Sequence, residues 1–244
     1  MSDNKSKIAL VTGGAGGIGA AICRTLSESG FSVGIHYRSS ELAAKKLQKE
    51  LVGSFLIKGD LSKSEDIDSI CDQIKELGGI DILVNNAGRT VDSLLIRGKL
   101  EDFDAVVSAN MRSNWYLTKK ISRMMMRKKS GRIINISSVI GSTGNIGQSA
   151  YGMSKAAINN LTRCAAMELA PYNILVNSIA PGFIETPMTE GLGDDVRSDI
   201  LAKVPLGRMG TPEDIAKMVR FLAMEGDYCT GSIFHINGGM YGGV

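Results

Sequence analysis

Histidine is nearly missing from this 244-residue chain: His36 and His235 are the only two, and they stand far apart. That scarcity argues against a histidine-rich metal site and against a Ser-His-Asp hydrolase. The four cysteines, Cys23, Cys71, Cys164 and Cys229, are widely spaced and make neither a CxxC knuckle nor a disulfide framework, so they read as reduced thiols in or near the core. No apolar run approaches the ~18 residues of a membrane span. No linker divides the chain, which predicts one domain over 1–244. The start, Met1 to Lys7, lacks the apolar core of a signal peptide, leaving a cytoplasmic location as the default. A net charge of +3 is too small to argue for nucleic acid.

What the chain has is alternation. Short β-branched runs at Lys7 to Val11, Ser32 to Tyr37, Phe55 to Ile57, Asp81 to Val84, Gly131 to Ser137, Ile174 to Ile179 and Ile233 to Ile236 are separated by stretches of helical spacing. Strands alternating with helices predict a doubly wound parallel α/β sheet. Expected helices cover Ala20 to Ser29, Glu41 to Leu51, Ser64 to Leu77 with Ser64 as N-cap, Leu100 to Lys129, a stretch from Ser149, and Thr211 to Met224. The segment 188–205 has weak periodicity and suits either a lid over a substrate or a loop with short helices.

Three sites stand out. Between the first strand and first helix lies Thr12-Gly13-Gly14-Ala15-Gly16-Gly17-Ile18-Gly19, where glycines let the backbone approach a diphosphate and a helix N-terminus offers N–H groups to it. The second strand ends in Arg38-Ser39-Ser40. An acidic residue there would bond a ribose 2′-hydroxyl, whereas arginine and serine suit a 2′-phosphate, so NADP(H) is expected over NAD(H), although the glycine turn adds no Lys or Arg of its own. The third site joins Ser138, just past a strand, to Tyr151 and Lys155, which are four apart on one helical face. A phenol of pKa ~10 becomes a better acid-base group if a nearby ammonium lowers it by roughly 1 to 3 units. Tyr116 and Lys120 share the spacing, but Phe103 stands where the first pair has Ser138, so that pair reads as helix surface. Asn110 falls inside a predicted helix, a poor place for asparagine unless packing or function requires it. Asn85-Asn86-Ala87-Gly88 closes a central strand, at the sheet edge where ligands sit.

Thr12-Gly13-x-x-x-Gly17-x-Gly19, Asn85-Asn86-Ala87-Gly88, Asn110, Ser138, Tyr151-x-x-x-Lys155 and Pro181-Gly182 together resemble the short-chain dehydrogenase/reductase family over nearly the whole chain. The resemblance implies a seven-stranded Rossmann sheet in the order 3-2-1-4-5-6-7. It makes Tyr151 the general acid or base and Lys155 the group that lowers its pKa and holds the nicotinamide ribose. Ser138 would bind the substrate carbonyl, and Asn110 would anchor a water on a proton path. It also implies that Asp60 and Leu61 lie by the adenine, and that Ile184 to Thr186 lie near the nicotinamide amide. Gly13, Gly17, Ile18, Gly19, Arg38, Ser39, Asn86, Ala87, Gly88, Pro181 and Gly182 complete the expected cofactor contacts. Within the family, Gly131 to Ser138, Pro181 to Thr189 and Asn237 to Tyr241 are similar to the 3-oxoacyl-[acyl-carrier-protein] reductases of fatty acid biosynthesis. The implied reaction is NADPH-dependent reduction of a 3-oxoacyl thioester by a homotetramer. The implied thioester is on carrier protein or coenzyme A, and Arg127-Lys128-Lys129 would dock an acidic carrier, although Tyr172 stands where such reductases often place a second basic residue. Alternatives are reduction of another ketone or acetoacetyl-CoA, or an idle nucleotide-binding scaffold.

Overall fold

The computed structural model describes residues 6–186, 191 and 193–242. Its elements run β1 (Ile8–Val11), α1 (Gly17–Glu28), β2 (Ser32–Tyr37), α2 (Glu41–Glu50), β3 (Phe55–Lys58), α3 (Ser64–Glu76), β4 (Ile82–Asn85), α4 (Leu100–Val106), α5 (Ser113–Lys128), β5 (Gly131–Ile136), α6 (Ile140–Thr143), α7 (Ser149–Leu169), β6 (Ile174–Pro181), α8 (Asp194–Ala202), α9 (Pro212–Met224) and β7 (Ile233–Ile236). The strands form one parallel sheet in the order β3-β2-β1-β4-β5-β6-β7, as the resemblance implied.

Burial on both faces explains why the strands read as continuous apolar runs rather than alternating ones. One face packs Ile22 and Leu26 of α1 against β1 and β2, and Val219 and Leu222 of α9 against β5 and β6. The other packs Ile67, Ile70 and Ile74 of α3 and Leu117, Ile121 and Met125 of α5 against Leu10, Leu83 and Ile133. The reversal of strand order between β1 and β4 opens a crevice at the carboxyl edge, where such sheets take ligands.

Two helix starts contrast. Thr211 caps α9 through a reciprocal box: its hydroxyl accepts the Asp214 N–H and the Asp214 carboxylate accepts the Thr211 N–H. The N-cap of α3, by contrast, is Lys63 and not Ser64, which is the first helical residue and turns its hydroxyl to Glu65. Beneath the site, Asn85 donates to Thr118 and to Asn135, and Asn135 donates to Thr162, forming a buried polar chain from β4 across β5 to α7. Its groups are paired with one another, which makes their burial tolerable.

Candidate active site

Two adjoining cavities, of about 350 and 600 Å³, make one cleft along the carboxyl edge, because Gly13, Gly16, Ala87, Gly88 and Arg89 line both. At the first, Gly13 has φ +63, and a Cβ on it would sit 3.1 Å from the Ala87 Cα; only glycine fits that turn comfortably. The turn is latched to the end of β4. Thr12 Oγ1 accepts the N–H groups of Asn86 and Ala87, both at 2.9 Å, while Asn86 Nδ2 donates to the Thr12 and Gly13 carbonyls at 2.9 and 3.2 Å. Among the described residues no side chain caps α1, whose first turn lines the cleft at Gly17 and Ile18, a setting made for an anion. Arg38, Ser39, Asp60 and Leu61 line the same cavity at the ends of β2 and β3, and Arg38 makes no ion pair among the described residues. A dinucleotide fits this end on the glycine cradle, the uncapped helix and the unpaired guanidinium.

Gly19, expected among the cofactor contacts, lines neither cavity. A Cβ there would lie 2.2 Å from the Gly13 carbonyl oxygen, so Gly19 lets α1 pass close behind the turn.

The larger cavity brings together Gly17, Ile18, Asn86, Ser138, Tyr151, Lys155, Pro181, Gly182, Ile184 and Thr186. Ser138 is positioned because the chain continues beside β6 after β5 ends: Ser137 N–H donates to the Ile179 carbonyl and Val139 N–H to the Pro181 carbonyl, each at 2.8 Å. Lys155 is buried, and its Nζ donates to the Ile136 carbonyl at 2.8 Å. Burial pulls its pKa down to about 8.

Tyr151 departs from expectation. Its phenol is held above the usual 10: burial is the main cause, the hydrogen bond with Ser138 works the other way, and the Asp92 carboxylate adds to the rise. Lys155 Nζ lies 5.5 Å from the ring centroid, and one of its N–H groups donates to the Ile136 main-chain carbonyl. The expected lowering by Lys155 is therefore not what this geometry produces. Tyr151 is a protonated donor at neutral pH, and Ser138 is beside it.

Asn110 is buried and lines neither cavity. Its Oδ1 accepts the Arg89 N–H at 2.8 Å, and its Nδ2 donates to the Arg89 carbonyl at 2.9 Å and to Ser154 Oγ at 3.0 Å. It clasps the loop after β4 to α7, one residue from Lys155. A water held by Asn110 would have to use its remaining Oδ1 lone pair or its main-chain carbonyl. The expected continuous helix from Leu100 is broken here by a π-helical turn, Val107–Arg112, with Asn110 inside it.

The decoy pair is a brace: Tyr116 Oη donates to Asp68 at 2.9 Å and Lys120 Nζ pairs with the same carboxylate at 2.7 Å, tying α5 to α3. Arg127-Lys128-Lys129 closes α5 at the amino edge of the sheet, where Lys128 lies 3.5 Å from Asp81. β5 separates that edge from Ser138 by six residues, roughly 20 Å, so the run does not border its own subunit's site. Of the segment 188–205, residues 188–190 and 192 lie outside the described residues; the rest includes α8, whose Ile200 is buried, as is Val204 just beyond it.

Sequence reasoning missed Asp92, Arg89 and His36. Asp92 lines the larger cavity, where its carboxylate accepts from Gln148 Nε2 at 3.1 and 3.2 Å and from Thr90. No periodicity marks a loop carboxylate, and only the tertiary approach of the loops after β4 and β5 brings it to Tyr151.

A family model described as Enoyl-(Acyl carrier protein) reductase matches residues 13–241. The chain is 41% identical over 242 residues to the 3-oxoacyl-[acyl-carrier-protein] reductase FabG of Staphylococcus epidermidis, covering 97% of this chain and 99% of that protein. The proteins of the same name in Aquifex aeolicus and Vibrio cholerae are 42% and 45% identical, each with 97% of this chain and 98% of the relative covered.

Proposed function

The chain belongs to the short-chain dehydrogenase/reductase family, and from that premise we propose that it reduces a 3-oxoacyl-[acyl-carrier-protein] to the 3-hydroxyacyl thioester in fatty acid biosynthesis. One observation carries the reading of the site: Ser138 and a protonated Tyr151 share a cavity that continues into the glycine turn. A nicotinamide cofactor held along the glycine turn and by Lys155 would supply the hydride for the carbonyl carbon. The chain's own residues do the rest. Ser138 holds the carbonyl oxygen, Tyr151 delivers the proton that completes the hydroxyl, and Lys155 stands behind Tyr151 to hold the nicotinamide ribose. Two hydroxyls converging on one oxygen suit a ketone better than a carbon-carbon double bond, whose reduction ends with protonation of carbon.

Gly13, Gly17 and Ile18 would take the diphosphate, Asp60 and Leu61 the adenine, and Asn86, Ala87 and Gly88 the adjoining ribose. Pro181, Gly182, Ile184 and Thr186 would border the nicotinamide. Arg38 and Ser39 favour NADPH through a 2′-phosphate. Asn110 is a positioning residue. The substrate's carrier is acyl-carrier protein, the segment around 188–205 is the lid, the assembly is a homotetramer, and the enzyme works in the cytoplasm. The absence of a helix long and apolar enough to cross a membrane among the described residues is compatible with that location.

The test is NADPH oxidation with matched acyl-carrier-protein and coenzyme A 3-oxoacyl thioesters. The carrier-protein substrate should be consumed with the higher kcat/KM. Tyr151→Phe should abolish turnover while retaining NADPH binding, and undiminished activity in that variant refutes the assignment.

A further inference from the structure

His36 belongs to the sheet, yet it is tied to the cofactor end of the cleft. It is buried in β2, between Ile35, which packs in the core, and Tyr37. Its Nδ1 accepts the Gly13 N–H at 3.0 Å, and its Nε2 lies 3.1 Å from the Gly59 carbonyl. These partners settle the tautomer. An N–H pointing at Nδ1 requires a bare lone pair there, and a carbonyl facing Nε2 requires a proton. The strand's own carbonyl adds a third tie, because His36 O accepts the Gly14 N–H at 2.8 Å. Gly59 directly precedes Asp60, so the imidazole spans the cleft's floor from the glycine turn to the residue expected at the adenine.

We propose that His36 is a positioning residue for cofactor binding: its neutral, Nε2-protonated ring holds the Gly13 turn in register with the Gly59-Asp60 end of β3. This rests on the reading of the cleft as a nicotinamide dinucleotide site. The ring lines the nucleotide cavity's wall but is not required to touch the cofactor; it acts by aiming Gly13. A plain core histidine would show neither a main-chain donor from a phosphate turn nor a second tie to the opposite wall. Protonation would place an N–H against the Gly13 N–H at 3.0 Å, and one of the two would have to move. The charged groups around it are Asp60 after β3, Arg38 at the end of its own strand and Arg89 after β4, with the neutral thiol of Cys23 below the turn near Gly14. Of these, only Asp60 favours the protonated ring, and burial outweighs it.

Two isosteric variants separate the ties. Asparagine places its carbonyl oxygen where Nδ1 stands, and glutamine places its amide where Nε2 stands. By equilibrium titration with NADP+ and with NAD+, His36→Asn should bind at least tenfold more tightly than His36→Gln, and the defect should appear in the cofactor's KM rather than in kcat. Equal affinities of the two variants overturn the proposal. Because burial holds the ring's pKa at about 4, the wild-type dissociation constant for NAD+ should rise as pH falls from 5.5 to 4, and that of His36→Asn should rise less across the same range; parallel curves overturn it too. A measurement on the unmodified protein needs no variant: imidazole 15N shifts should report the proton on Nε2, and an Nδ1-protonated ring sinks the idea. Wild-type protein that binds neither cofactor would instead remove the functional reading, leaving the tautomer result to stand on its own.

Discussion

Lys155 donates a hydrogen bond to the Ile136 carbonyl, at 2.8 Å, and so anchors α7 to the strand that delivers Ser138. The ammonium is buried on α7 with that carbonyl as its hydrogen-bond partner among the described residues, and burial holds its pKa at about 8. In cofactor-free enzyme the group loses its charge as pH rises through about 8. Because kcat/KM reports the free enzyme, that constant for NADPH should fall above this pH, approaching tenfold per unit. A profile flat from pH 7 to 9.5 contradicts the assignment.

The same burial has a stability consequence with a definite sign. Between pH 8 and ~10.4 the unfolded chain keeps a proton that the folded protein has released, so this group's cost shrinks as pH rises. At pH 7 both states are charged and the cost is fully present. Lys155→Met should therefore abolish turnover yet raise stability by about 1 to 3 kcal/mol in urea unfolding at pH 7. A destabilised variant would mean that the bond to Ile136 outweighs the desolvation.

Asp92 adds its field to the burial that keeps the Tyr151 phenol protonated. It is exposed, so solvent screens it and the effect is modest. Asp92→Asn should lower the apparent pKa of Tyr151, moving the rising limb of the reverse, alcohol-oxidising reaction toward lower pH. The pH-rate profiles of the two proteins make the comparison, and an opposite shift would exclude the carboxylate as the cause.

Asn110 makes three hydrogen bonds while buried. Replacing it with leucine would leave the Arg89 N–H, the Arg89 carbonyl and Ser154 without it. Loss of about 2 to 4 kcal/mol is expected in thermal or urea unfolding. Turnover should fall at least tenfold as the loop over Gly88 loosens beside Lys155. Full stability in Asn110→Leu would show that other groups or water replace the clasp.

Arg38 is a cation at the end of β2 with no ion pair among the described residues. Arg38→Asp should weaken NADPH binding at least tenfold and reverse the preference toward NADH, read from the two dissociation constants. An unchanged ratio would remove this residue from cofactor choice.

Much of this was legible in the chain because it is local. A short apolar run bounded by polar and turn-forming residues is a strand wherever it packs, so β2 and β7 carry the boundaries read from the sequence. The order of glycines after β1 and the four-residue spacing of Tyr151 and Lys155 likewise survive unchanged, since the geometry of one turn or one helical face is set by neighbours in sequence. The π turn was visible only as an ill-placed asparagine, because a helix's extra residue costs no change in pattern until a partner such as Arg89 reaches it.

The tertiary structure decided the charges and the second partners. Whether Lys155 tunes a phenol or props a carbonyl depends on where a neighbouring strand ends, and the direction of the Tyr151 shift depends on burial and on Asp92 from a different loop. Tyr116 and Lys120 have the same spacing as Tyr151 and Lys155, and only Asp68 across the helix packing made them a brace. His36 gave no signal in a strand of apolar neighbours, since its two partners lie 23 residues away in either direction. Propensity and spacing are properties of adjacent residues and sufficed for the fold class and the motifs. Electrostatics and hydrogen-bond pairing are properties of approach, and these the folded sheet alone supplied.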